Sequence, residues 1–302
     1  MILILSSNAE ITTDAVIMWL NDLKKAYIRV HEDEFFEIKI INKKFFLESY
    51  RNRFFIDDIS SVWYRRGGGL KFKRGQYHHE AVNQNMNEAH YWLEDYVIKK
   101  LEAKKHINKQ SNSRLNKLWV LEEAQKAGLK VPRYFLAENT DDVIPGKMIT
   151  KSFTENVILK SAYEHQDGML YTAVVTQQEQ GSFFPTFFQD KIEKEYEIRS
   201  FYLDGKIWST AIMSQKDKQT ETDHRKYNTA VPNRNVPYDL PLETGQKLNE
   251  LFLALDINCG SADFIKGKDG QFYFLEINPL GQFLGLSAVC NYALDKEIAL
   301  YL

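Results

Sequence analysis

Apolar residues recur along this chain with two different periods, and the changes of period divide it. The opening run Met1–Ser6 (MILILS) is apolar almost throughout, as in a strand covered on both faces. Thr12–Ala26 then spaces Val16, Met18, Leu20 and Leu23 as a helix does, with Thr12 or Thr13 placed to cap it. Further strands are predicted at Ile28–His31, Phe36–Ile41 and Ser61–Arg65, and the alternation of strand and helix reads as an α/β unit. Gln76–Lys105 is a long polar helix with Tyr91, Trp92, Leu93, Tyr96, Val97 and Leu101 as its apolar stripe, expected to pack on the first unit or on a second copy. The polar stretch Asn108–Ser113 marks the first boundary. Arg114–Ala127 resumes as an amphipathic helix stopped by Gly128, and Val131-Pro132 opens an extended segment.

Beyond that point the period shortens towards two. Val157–Lys160 is a short strand that delivers a lysine, followed by a polar loop with Asp167-Gly168 and a β-rich run, Leu170–Thr176. PTFFQDKIEKEYEIRSFYLDGKIWSTAI reads as two antiparallel strands joined at Asp204-Gly205. Alternation puts Glu195, Glu197 and Arg199 on one face, a charged row in an otherwise apolar strand. TDHRKYN, Thr222–Asn228, is a basic loop, and Leu242–Leu255 a helix. Two strands close the pattern, Ser261–Lys266 and Phe272–Ile277, with GKDG at Gly267–Gly270 as their hairpin turn. The first carries Asp263, and the second ends in Glu276 and Asn278, whose spacing puts both on one face. Three hard oxygen donors can converge there, a set suited to Mg²⁺ completed by waters and phosphates. The plainer alternative is a strand-edge aspartate and an Asn-Pro turn.

At 302 residues the chain is long enough for two or three packed subdomains. With 44% hydrophobic and 26% charged residues its profile is that of a soluble globular protein. A formal charge of -2 gives no electrostatic reason to expect nucleic acid. Cys259 and Cys290 make neither a disulfide framework nor a zinc spacing, which fits a reducing cytosol. MILILSS has no basic flank and is too short for a signal h-region or a membrane span. The pattern GxxxxGK[ST] is missing, which removes the main support for a P-loop. Two places remain with candidate chemistry. Lys160, at a strand end above a loop, can clamp phosphates, and Arg65 and Arg66, before Gly67–Gly69, can receive a carboxylate or phosphate, unless each is simply solvated surface.

The order of these pieces resembles an ATP-grasp ligase from about Arg114 onward: GLKVP, VILK, FFQDKI, an EIR strand, DHRKYN and DF…LEINP. With VWYRR, TKSF and EINPLGQF, the chain is similar to the graspetide (microviridin-type) synthetases, in the branch found in grasp-with-spasm systems. The resemblance implies an α/β (α+β) ATP-grasp fold, with an N-terminal pre-ATP-grasp domain (1–112), a central lid subdomain (113–189) and a C-terminal ATP-grasp subdomain (190–302). It implies ATP and one or two Mg²⁺, with Asp263, Glu276 and Asn278 as metal ligands. Lys117 and Lys160 match lysines that reach the nucleotide phosphates, and Gln189, Lys191 and Ile192 the adenine pocket. Glu197 would stand near the ribose or triphosphate, with Glu195 as competitor. Arg199, Arg225 and Asn228 match groups acting on the transferred phosphoryl. No residue is an obvious covalent nucleophile.

The implied reaction phosphorylates Asp or Glu side chains of a ribosomal precursor peptide and joins them to Ser/Thr hydroxyls or Lys amines, esters being favoured. Leader recognition would fall to the hairpin Glu195–Met213 and nearby helices, and Arg65 and Arg66 would bind core carboxylates. The expected setting is a cytoplasmic homodimer without nucleic-acid or membrane partners. Two departures stand out. The loop after Lys160 has one glycine where many ATP-grasp lids have several, and His224 stands where relatives often carry an aromatic residue. Two rivals remain open: a ligase adding an amino acid to a small molecule or protein C-terminus, and a non-catalytic peptide- or nucleotide-binding module.

Overall fold

Every side chain of Ile2–Leu5 is buried, because this strand has a parallel neighbour on each edge and packed layers on both faces. The computed structural model describes residues 1–65, 69–112, 114–154, 158–163, 166–178, 181–214 and 233–302. Its N-terminal part runs β1 (Ile2–Leu5), α1 (Ile11–Asp22), β2 (Tyr27–Val30), β3 (Phe35–Ile41), β4 (Lys44–Glu48), β5 (Arg53–Phe55), β6 (Ser61–Tyr64), β7 (Lys71–Phe72), α2 (Glu80–Glu102) and β8 (Lys105–Ile107). The middle adds α3 (Lys117–Lys126), β9 (Tyr134–Ala137), β10 (Met148–Thr150), β11 (Ile158–Tyr163), β12 (Gln166–Met169), β13 (Ala173–Val174) and β14 (Thr186–Asp190). The remainder is β15 (Lys194–Leu203), β16 (Lys206–Met213), β17 (Arg234–Tyr238), α4 (Leu242–Ala254), β18 (Cys259–Gly267), β19 (Phe272–Asn278), α5 (Leu284–Cys290) and α6 (Leu294–Tyr301).

The first sheet is parallel in the order β2-β1-β6-β8. Its helix α1 is capped by Glu10, not by Thr12 or Thr13: Glu10 Oε2 accepts from Thr13 N and from Thr13 Oγ1, both at 2.8 Å. Both threonines are instead buried on the inner side with Val16 and Leu20, while Met18 faces out. A second small sheet, β5-β4-β3-β7, adds to β3 three strands that the sequence pattern does not predict; Asn42 and Lys43 turn its first hairpin with φ of 51° and 63°. In α2 only Val97 and Leu101 are buried, and Tyr91, Trp92, Leu93 and Tyr96 are exposed, so most of the aromatic stripe faces away from the body.

The middle strands form the sheet β13-β10-β14-β9 and the pair β11-β12. The last sheet is antiparallel, β17-β16-β15-β18-β19, and its two faces have different neighbours. Ile198, Tyr202, Ala262, Phe264 and Ile277 lie in one core with Val120, Leu121 and Ala124 of α3 and Leu248, Leu251 and Phe252 of α4. Phe187 of β14 joins the same core. On the opposite face Phe201, Leu203 and Cys259 pack with Ile2, Ile4, Val16, Leu20 and Trp63 of the parallel layer and with Leu294 and Ile298 of α6. Among the described residues no helix is long and apolar enough to cross a membrane.

Candidate active site

Strand pairing sets the charged row. Asp263 of β18 is the register partner of Arg199 on β15 and of Glu276 on β19, so the three side chains stand abreast on one face. Asn278 lies one step along, opposite Ser261. That face is the one whose other end carries Phe201, Leu203 and Cys259, so the row begins where the apolar packing stops. Arg199 Nη1 lies 3.4 Å from both carboxylate oxygens of Asp263. Lys117, the first residue of α3, pairs with Glu276 at 3.4 Å beside the sheet's edge strand. The cap of α3 is Asn116, whose Oδ1 accepts from Leu118 N and Trp119 N.

Two acids are therefore each balanced by a cation, and the donor atoms are hard oxygens of the kind Mg²⁺ takes. Asn278 Oδ1 accepts from Leu280 N at 3.1 Å, which leaves that oxygen a second lone pair. Buried polar atoms lacking a partner among the described residues lie in the same region: Arg199 Nε and Ser261 Oγ. Among the described residues no three His, Cys, Asp or Glu side chains cluster for a metal. Arg199 also reaches a cavity of about 480 Å³ lined by Glu10, Thr12, Gln282, Phe283 and Leu286. No thiol is available as nucleophile here, since burial pushes the Cys259 thiol up to about 12.

A bulge decides between the two glutamates before Arg199. The register of β15 on β18 shifts between Lys194 and Tyr196, which makes Glu195 the extra, exposed residue. The same shift brings Lys194 to the side of Glu197, and the two form a buried ion pair that Ser214 Oγ approaches at 3.5 Å. Glu197 thus shares the face of Arg199, and Lys194, which the sequence pattern did not single out, stands with it. Only the register could reveal it.

Gln189 sits on β14 between Tyr134 and Ile149, is 1% exposed, and neither end of its amide has a partner among the described residues. Lys191 and Ile192 follow half-buried, with Lys191 N donating to Lys147 O. Lys160 lies on β11. Arg66, Arg225, Asn228 and His224 fall outside the described residues. Arg65 is brought to the interior and not to an open cleft: its side chain is 2% exposed and pairs with Glu10 at 3.3 Å. Burial alone would raise the Glu10 carboxyl, but the Arg65 guanidinium and hydrogen bonds from Arg65 and Thr13 hold it below its ordinary value.

Solved structures share this arrangement of elements. The RiPP-associated ATP-grasp ligase of Chryseobacterium gregarium, in complex with ADP and a leader and core peptide, matches with a TM-score of 0.77 at 21% identity, over 99% of this chain and 94% of that one. The macrocyclase MdnC of Microcystis aeruginosa, bound with precursor peptide MdnA, matches at 0.73 and 22%, over 99% and 98%. The ATP-grasp ligase PsnB, complexed with a phosphomimetic variant of a minimal precursor, Mg and ADP, matches at 0.67 and 14%, over 99% and 96%. No family model and no curated protein matches the sequence. At these identities the likeness establishes the fold, and the chain has the ATP-grasp fold that its motif order predicts.

Proposed function

We propose that this chain is an ATP-dependent macrocyclase of a ribosomally made precursor peptide, of graspetide type. ATP phosphorylates an Asp or Glu side chain of the peptide, and a Ser/Thr hydroxyl or Lys amine of the same peptide displaces the phosphate, closing an ester or amide ring. The observation that carries this reading is the row Arg199–Asp263–Glu276 with Asn278 beside it, on the open end of one sheet face. Support comes from the similar structures, which hold ADP and precursor peptides.

Asp263, Glu276 and Asn278 hold Mg²⁺ in this reading. An ion held there would supply positive charge to offset that of the phosphates during transfer. Arg199 presents a planar fork to the transferred phosphoryl and releases Asp263 as it does so. Lys117 turns from Glu276 to the nucleotide in the same way. Gln189 uses its unpaired amide on the adenine beside Lys191 and Ile192, and Glu197, fixed by Lys194, faces the ribose or triphosphate. Lys160, Arg225 and Asn228 keep the phosphate-facing roles their motifs imply, and Arg66 the contact with core carboxylates. Residues 1–112, 113–189 and 190–302 serve as pre-grasp, lid and ATP-grasp parts. The enzyme works in the cytoplasm, consistent with two buried free cysteines, and pairs with a second copy through α2, whose Val82, Met86, Ala89, Leu93 and Tyr96 follow the 4-3 spacing of a coiled-coil seam.

The test is incubation with ATP, Mg²⁺ and the short peptide encoded beside the gene. ADP release with loss of one water per ring is expected. ADP release driven by free amino acids without peptide would make it a small-molecule ligase, and nucleotide binding without turnover a non-catalytic module.

A further inference from the structure

The turn that follows the proposed metal strand is held from outside its own sheet. Within it, Gly281 N donates to Asn278 O at 3.0 Å and Leu280 N to Asn278 Oδ1 at 3.1 Å. Its three successive outer carbonyls all accept from the N-terminal α/β unit. Asn108 Nδ2 donates to Pro279 O at 2.9 Å, while Arg65 Nη1 donates to Leu280 O and, at 3.4 Å, to Gly281 O. Both side chains are anchored in turn. Arg65 faces Glu10 through Nε and Nη2 at 3.3 and 3.4 Å, and its guanidinium lies 5.8 Å from the centre of the Phe283 ring. Asn108 Oδ1 accepts from Asn258 N and Cys259 N, and Asn108 Nδ2 also donates to Cys259 O.

Stability alone gives little reason for this construction, since a buried ion pair replaced by apolar groups of equal volume is often no less stable. What a rigid fork of donors supplies is a fixed placement for the oxygens it binds. The oxygens placed here belong to the turn that starts at Asn278 and leads into Gln282–Leu286, the wall of the cavity that Arg199 reaches.

We propose that Arg65 and Asn108 are positioning residues for the cation site: they clamp Pro279, Leu280 and Gly281 and so aim Asn278 Oδ1 at the ion held with Asp263 and Glu276. This rests on Asn278 being a metal ligand. The N-terminal unit is then the outer support of a donor set that lies wholly on the C-terminal sheet. Metal-ligand supports of this kind, when removed, lower metal affinity by about 10- to 100-fold.

The experiment is ADP binding by calorimetry across a series of Mg²⁺ concentrations, with no peptide and no turnover. Arg65→Lys and Asn108→Asp are each expected to raise the Mg²⁺ midpoint by about tenfold or more, with ADP binding in the absence of Mg²⁺ unchanged. Asn278→Ala is measured beside them. A midpoint shifted by Asn278→Ala but unmoved by Arg65→Lys and Asn108→Asp overturns the clamp and leaves the metal reading standing. A midpoint unmoved by Asn278→Ala overturns the metal reading itself. If circular dichroism shows Arg65→Lys unfolded, Glu10→Gln replaces it, because it keeps an acceptor for Thr13 and removes the charge that holds Arg65. A wild-type midpoint in both Glu10→Gln and Asn108→Asp then overturns the clamp.

Discussion

Asp263→Asn separates the charge chemistry of the row from its architecture. In the wild type Asp263 attracts Arg199 across 3.4 Å, which at an effective dielectric constant of about 20 amounts to about 5 kcal/mol. Glu276 stands directly opposite on the next strand, and, taking the cross-strand Cβ spacing of about 5.5 Å for the two charges, the carboxylates repel by about 3 kcal/mol on the same scale. The substitution removes both, so the expected net loss is about 2 kcal/mol, less whatever water screens at side chains 18–29% exposed. For a chain of this length that lowers Tm by only about 2–6 °C. Activity follows a different rule, because an amide cannot supply the charge that a cation among phosphates requires. ADP formation with peptide should fall by at least about 10²-fold. ADP with Mg²⁺ at about 100 times its Kd stabilises the wild type by about 2.7 kcal/mol, and the Mg²⁺-dependent part of that gain should vanish in the variant. Melting curves with and without ligand and a coupled ADP assay give all three readings. Turnover near the wild-type rate, or a Tm drop much beyond 6 °C, would refute the reasoning.

Arg199→Lys should lose more in rate than in ATP affinity, since a point charge cannot replace a fork that tightens on the transferring group; equal losses would leave Arg199 a simple nucleotide holder. Glu10→Gln should flatten the acid limb of the stability curve. The Glu10 carboxyl is held below its ordinary value of 4.5, so its contribution is present above that pH and lost as pH falls through the lower folded value. An unchanged limb in acid-denaturation curves would contradict this. If the proposed dimer forms through the α2 seam, Leu93→Glu, at an exposed seam position, should give a monomer in light scattering, and a dimer that survives it would place the interface elsewhere.

The hairpin of Asp263, Glu276 and Asn278 was legible because alternation and the GKDG turn are local signals, and the structure pairs Asp263 with Glu276 as that pattern implies. Asp204-Gly205 was equally readable and turns with φ of 46° and 87°. Register irregularities were not. Counting by twos puts Glu195 beside Glu197, whereas the bulge turns Glu195 out and brings Lys194 in. Side-chain direction on α2 was hidden too, since a stripe states which face is apolar and not what covers it. Glu10 carries no sign that it caps α1, a place where Thr12 and Thr13 are the commoner choice. Arg65 followed by Arg66 reads as a pair set to receive a carboxylate or phosphate, and only the fold shows that the buried Arg65 meets the carboxylate of Glu10, distant in sequence.

Because the site row and the apolar packing share one face of β15 and β18, strand parity works as a ruler. Deleting one residue between Cys259 and Asp263 would drive the carboxylate towards α3 and α4 and turn Ala262 into the cleft, leaving a charge in an apolar core. Nothing comparable holds beyond Phe264, where the irregularity between Asp263 and Phe264 makes Leu275 the extra residue of β19 and the hairpin runs out to an exposed turn. Length changes in this family of sheets should therefore collect at the Lys268–Gln271 end, while the four buried positions from Cys259 to Ala262 keep their count.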